Sequence, residues 1–210
     1  MVVIKEVRFD MIRRLRVADY VTLSNANKWD VASCGVFSIF CSMQHDYIRA
    51  HLLLFVAYEC DRFDGIVARW MNQCSDWGKQ LDSFSDLVSF IMGPAIMLHT
   101  IGFQTLVDQV VLIFWVLCGL TRLVRFNVVA HLVPRDAHGK ALYHEGLASP
   151  YAALIVSTAV AVSTWMEWTS EIVLSSVIFS GTWPEFHLAL VPVLVMSVMM
   201  LLEQITNSSV

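Results

Sequence analysis

The chain has 210 residues, of which 57% are apolar and only 15% are charged. Soluble domains carry roughly 25% charged residues, so this composition argues against disorder and against a water-soluble globule of this size. The net charge of -4 is segregated along the chain, and no strongly basic domain arises, which argues against nucleic-acid binding.

Taken in chain order, residues 1–16 do not have the form of a signal peptide, because basic residues run through the stretch instead of preceding an apolar core. Ile4, Val7, Met11, Ile12 and Leu15 recur at helical spacing, with Lys5, Arg8, Arg13, Arg14 and Arg16 between them. This pattern predicts an amphipathic helix lying on an anionic membrane surface. Six apolar segments follow, roughly 18–43, 48–72, 79–99, 107–130, 148–166 and 186–204. Each is long enough to span a bilayer, which takes ~20 residues. Residues 172–181 are apolar but too short to cross, and read as an interfacial or re-entrant piece. The expectation is an all-α integral membrane protein with six transmembrane helices. An N-terminal interfacial helix over 1–16 leads into one membrane domain over 17–205.

Orientation follows from Lys and Arg. With the N-terminus in the cytosol, the cytosolic segments hold the five N-terminal basic residues, Lys79, Arg122, Arg125, Arg135 and Lys140, while only Arg49 borders an opposite loop. On this topology the tail sequon at Asn207 never meets the glycosylation machinery. Cys34, Cys41, Cys60, Cys74 and Cys118 form no C-x-x-C pair and read as small buried hydrophobes. His131, His138 and His144 share one loop but lack the spacing of a helical metal site.

The second and third apolar segments carry Asp61, Asp64, Asp82 and Asp86. Intramembrane carboxylates are expensive and mark function. Asp61, Asp64, Gly65 and Ala68 fall at i, i+3, i+4, i+7, and Gly78, Asp82 and Asp86 at i, i+4, i+8, so each set shares one helix face. A short turn near 73–77 makes the two helices antiparallel, and four carboxylates can meet near the cytosolic interface. Such a cluster needs cations, and hard oxygens select Mg²⁺, Mn²⁺ or Ca²⁺. Two ions would suit displacement at phosphorus. Gly65, Ala68 and Gly78 leave room for a bulky ligand, close helix packing being their structural alternative. Arg69 either holds a phosphate or neutralises an aspartate.

The run from Asp61 to Asp86 fits D-x2-D-G-x2-A-R-x8-G-x3-D-x3-D at every fixed position. It resembles the CDP-alcohol phosphatidyltransferases, a family of six-helix membrane enzymes. The resemblance implies that Asp61, Asp64 and Asp82 bind metal, and that Asp86 is both ligand and catalytic base. It implies that Gly65, Ala68, Arg69 and Gly78 line a site for CDP-diacylglycerol. Thr22-Leu23-Ser24-Asn25 is similar to the family's T-x-x-N element, which brings Thr22 and Asn25 to the same nucleotide. Two ions, Mg²⁺ or Mn²⁺, and a homodimer are implied in the same way.

Two further stretches bear on the acceptor alcohol. Thr121–Val128 resembles the R-L-A-R-F-N segment of the serine-using branch, and Gly146–Pro150 resembles its G-L-P-x-P segment, with Ala148 in place of the first proline. Met196-Ser197 echoes an L-M-V-S element in the last helix. Serine's carboxylate needs a cation, which Arg122 or Arg125 can supply, and Asn127 is a candidate acceptor for its ammonium. The expected reaction moves a phosphatidyl group from CDP-diacylglycerol to L-serine and releases CMP. The alternatives are the same chemistry on inositol or glycerol phosphate, or an ion transporter built on the aspartates. The expected location is a membrane with the site facing the cytosol, either endoplasmic reticulum or bacterial plasma membrane.

Overall fold

The computed structural model describes residues 23–70, 76–129, 147–166, 177–178 and 186–201. The segment 1–16, Thr22, Cys74, the histidine loop, most of 172–181 and the tail sequon lie outside the described residues.

Helix α1 (Leu23–Met43) turns through Gln44–Asp46 into α2 (Tyr47–Trp70). His45 takes a left-handed φ of 60° in that turn. Asp46 then caps α2 by accepting the Arg49 amide at 3.1 Å. Next come α3 (Asp76–Asp86), a π-helical stretch (Leu87–Met92) and α4 (Gly93–Ile101), which form one continuous rod. Gly102, at φ 139°, ends it with a conformation that suits glycine. Helix α5 (Leu106–Val129) opens on a capping box. The Asp108 amide donates to Thr105 Oγ1 at 3.2 Å, and the Thr105 amide donates back to Asp108 Oδ2 at 3.1 Å. Helix α6 (Ser149–Trp165) has Pro150 in its first turn, where the missing N–H costs nothing.

Two residues of β1 (Val177–Ile178) pair antiparallel with two of β2 (Phe186–His187). A 3₁₀ turn (Leu188–Leu190) and α7 (Val191–Leu201) complete the described chain. The described residues are therefore helical apart from this small ladder. The expected last span, 186–204, begins differently: His187 is extended, and the α-helix starts only at Val191. Asp108 explains this, because its carboxylate accepts both the His187 amide and the His187 ring, holding that residue against the start of α5.

Gln80–Ile101 and Leu106–Val128 are long and apolar enough to cross a membrane, while Ser149–Trp165 and Leu188–Leu201 are shorter apolar helices. Helix α1 packs along α2, α3 and the π stretch; α2 packs on α6, and α5 on α7. Fully buried Trp115, Phe90, Leu54, Ile91, Met97, Leu190 and Met200 fill the interior. Serines stitch the seams: Ser38 Oγ donates to Ala50 O across α1–α2, and Ser89 Oγ to Val31 O across the seam between α1 and the π stretch, both at 2.9 Å. Small hydroxyl side chains let apolar helices approach closely while their own oxygens find a partner.

The π stretch has a local cause. In an α-helix the Phe90 carbonyl would accept from residue 94, but Pro94 has no N–H and its ring crowds that carbonyl. The rod widens, and the Gly93 N–H reaches back five residues to Val88 O. The neighbouring Ile91 carbonyl takes the Trp115 indole N–H at 3.0 Å.

Candidate active site

Helices α1, α2, α3 and α5 meet at one end of the bundle, where the aspartates stand. Asp61 lies on the third-last turn of α2 and is half-buried. Asp64, Gly65, Ala68 and Arg69 follow on the same helix, but their side chains lie outside the described set, as does that of Asn25 on α1. Gly78, Asp82 and Asp86 line α3, with Gly78 buried and Asp82 43% exposed.

Asp86 is the last α-helical residue before the rod widens. Its Oδ1 is fully buried and makes no hydrogen bond. The charges of Asp61, Asp82, Arg122 and Lys28 all act on it. Lys28 comes from α1: its Nζ donates to Gly78 O at 2.6 Å and stands 3.3 Å from Asp82 Oδ1. The Lys28 carbonyl accepts Ser85 Oγ at 2.9 Å, which ties α1 to α3 a second time.

Helix α5 brings the basic and amide groups. Arg122 Nη1 donates to the buried Ser149 Oγ at the start of α6, at 2.7 Å, while its Nε is buried without a hydrogen bond. Arg125 turns the other way, its Nη1 donating to Leu201 O at the end of α7 at 3.3 Å. Asn127 Nδ2 donates to Ser83 Oγ on α3 at 2.8 Å, so Asn127 lies against the helix that carries Asp82 and Asp86. The shared face of Arg122 and Arg125 therefore divides: Arg122 is within the field of Asp86, and Arg125 anchors the last helix.

Among the described residues, no three His, Cys, Asp or Glu side chains converge to metal-coordinating distance. The donor chemistry fits a hard divalent cation all the same: the oxygens are carboxylates, and a buried, unbonded Asp86 Oδ1 is an atom that only a cation or a hydrogen-bond donor would satisfy.

Lys28 was not anticipated from the sequence. The signal was there: a lysine in a helix of low charge, three residues after Asn25 and so on the same face. Ser83, Ser85 and Ser149 were also overlooked as partners, because isolated serines carry no periodic signal.

The family model described as CDP-alcohol phosphatidyltransferase matches residues 17–183. The chain is 42% identical over 154 residues to a Saccharomyces cerevisiae protein named CDP-diacylglycerol–serine O-phosphatidyltransferase, covering 72% of this chain and 55% of that one. A Bacillus subtilis protein of the same name is 34% identical over 103 residues, covering 48% of this chain and 58% of its own. An archaetidylserine synthase of Methanothermobacter thermautotrophicus is 28% identical over 170 residues, covering 80% and 70%. The chain thus spans little more than half the length of the first two relatives.

Proposed function

The chain belongs to the CDP-alcohol phosphatidyltransferase family, and from that premise we propose that it transfers the phosphatidyl group of CDP-diacylglycerol to the hydroxyl of L-serine. Asp86 takes the proton of the serine hydroxyl. The serine oxygen bonds to the phosphorus that carries diacylglycerol. The bond from that phosphorus to the bridging diphosphate oxygen breaks, and CMP leaves with its electron pair.

One observation carries the choice of acceptor. A buried carboxylate oxygen on Asp86 and a buried guanidinium nitrogen on Arg122, neither hydrogen-bonded, stand in each other's field. Serine complements both, with a hydroxyl for the first and a carboxylate for the second. The Asn127 amide nitrogen is committed to Ser83, so its amide oxygen is the atom that would meet serine's ammonium. A phosphorylated acceptor would call for more cations than Arg122 and Arg125 provide.

Thr22, Asn25, Gly65, Ala68, Arg69 and Gly78 would take the CDP-diacylglycerol headgroup. Asp61, Asp64, Asp82 and Asp86 would hold two Mg²⁺ or Mn²⁺ ions. Bound there, such ions would neutralise the diphosphate and offset the charge of departing CMP. We read all six helical rods as crossing the membrane, with 1–16 on its surface and the site at the cytosolic face, where polar CDP and serine arrive while the acyl chains stay in the bilayer. A homodimer follows from the family resemblance.

The test uses the purified chain in detergent with CDP-diacylglycerol, Mn²⁺ and labelled serine, inositol or glycerol phosphate. CMP release and labelled lipid are expected with serine alone. Product from inositol or glycerol phosphate, and none from serine, would overturn the assignment.

A further inference from the structure

Lys28 is a cation built into a cluster of anions. Its side chain is only 11% exposed. It is held at both ends by α3: its ammonium by Gly78 O and Asp82 Oδ1, its backbone carbonyl by the Ser85 hydroxyl. Asp86 also feels its charge. A buried ammonium is costly to desolvate unless its donors are matched, and here a carbonyl and a carboxylate match them. The carboxylates gain in turn, since like charges at this spacing repel without a cation among them.

We propose that Lys28 is a positioning residue, an internal counter-cation that holds Asp82 in the metal-free protein and releases that carboxylate oxygen when a divalent ion loads. The inference rests on the metal-assisted transfer proposed above. The geometry supports it: Asp82 is the exposed member of the pair, open to an arriving ion, while Lys28 is buried behind it. Lys28 therefore acts in two opposite ways: it stabilises the empty cluster, and its charge works against the incoming ion.

This gives a test whose sign separates positioning by charge from a merely structural role. Mn²⁺ binding to the full chain in detergent is titrated by the electron paramagnetic resonance signal of free Mn²⁺, for wild type, K28Q and K28R. Thermal unfolding is recorded in EDTA and in Mn²⁺. K28Q should bind Mn²⁺ roughly tenfold more tightly, because a fixed positive charge beside the ion is gone. It should unfold at a lower temperature than wild type in EDTA, and Mn²⁺ should close most of that gap. K28R should stay close to wild type in both measurements. Folded K28Q that binds Mn²⁺ equally or more weakly would overturn the inference. If K28Q does not fold even in Mn²⁺, K28R decides: retained affinity supports a role set by charge, and lost affinity overturns it. Wild type that binds no Mn²⁺ refutes the metal reading and this inference together. Wild type that binds, without tightening in K28Q, refutes this inference alone.

Discussion

Replacing Gly35 with alanine should loosen the seam between α1 and the rod that carries Asp82 and Asp86. A Cβ on residue 35 would lie 2.2 Å from Ser89 Oγ, 2.8 Å from Ser89 Cα and 2.9 Å from Ser89 Cβ. Carbon contacts prefer about 3.5–4.0 Å. Rotating the hydroxyl away does not help, since the Cα clash remains and the Ser89–Val31 hydrogen bond is lost. Overpacking costs about 1–3 kcal/mol and the lost hydrogen bond about 1 kcal/mol; better helix propensity returns up to ~1 kcal/mol. The net loss is roughly 1–3 kcal/mol, or about 2–12 °C in Tm at about 2–4 °C per kcal/mol for a chain of this length. Two other glycines serve as controls. At Gly119 a Cβ meets the Ile91 side chain at 2.7 Å, which can shift in part, so a smaller loss is expected. At Gly93 the nearest atom is Leu54 Cδ2 at 3.3 Å, and G93A should be close to neutral. Thermal unfolding of the three variants in one detergent, followed by tryptophan fluorescence, should rank them G93A, G119A, G35A from most to least stable. Lys28 lies seven residues before Gly35 on the same face, so G35A should also lose the most activity. G35A as stable as G93A would refute the close contact of α1 with Ser89.

Chelation should abolish transfer, and Mg²⁺ or Mn²⁺ should restore it while Ca²⁺ substitutes poorly; full turnover in excess EDTA would contradict the metal reading. Asp86→Asn should lower kcat by ~10²–10⁴-fold while CDP-diacylglycerol still binds, as expected for loss of a general base. Asp61→Asn should instead weaken metal-dependent binding of CDP-diacylglycerol, with partial recovery at high metal, and equal loss of binding in both variants would make Asp86 chiefly a ligand. Arg122→Ala should raise KM for serine with a smaller change for the donor, whereas Arg125→Ala, which frees the end of α7, should lower Tm more than it changes serine kinetics. The reverse pattern would exchange their roles.

What could be read from the chain was what depends on local spacing. Asp61 and Asp64, and Asp82 and Asp86, recur at helical intervals, so each pair was visible without any tertiary information. The helices follow the apolar segments to within a few residues for the same reason. Lys28 needed a partner on another helix, fifty residues away at Gly78. Arg122 and Arg125 share a face, but long side chains part at their tips, and only packing decides that one reaches α6 and the other α7. Asp108 caps α5 through Thr105, and its second task, holding His187, spans 79 residues, beyond any local spacing. The widening at Gly93-Pro94 was not read from the sequence, since a proline alone does not say whether a helix will kink, break or widen.

The widened turn makes that rod a gear with a slipped tooth. A residue added to a helix advances every later side chain by about 100°, so the half that bears Asp82 and Asp86 and the half from Gly93 to Ile101 do not share one angular phase. The aspartates can face α1 and α5 while the apolar half packs against α1 and α6. Removing one residue between Leu87 and Met92 would re-engage the tooth. Pro94 would still disturb the helix there, but every aspartate before it would swing about a quarter turn relative to the core that holds the other half. Length, more than composition, is the guarded quantity in those six residues.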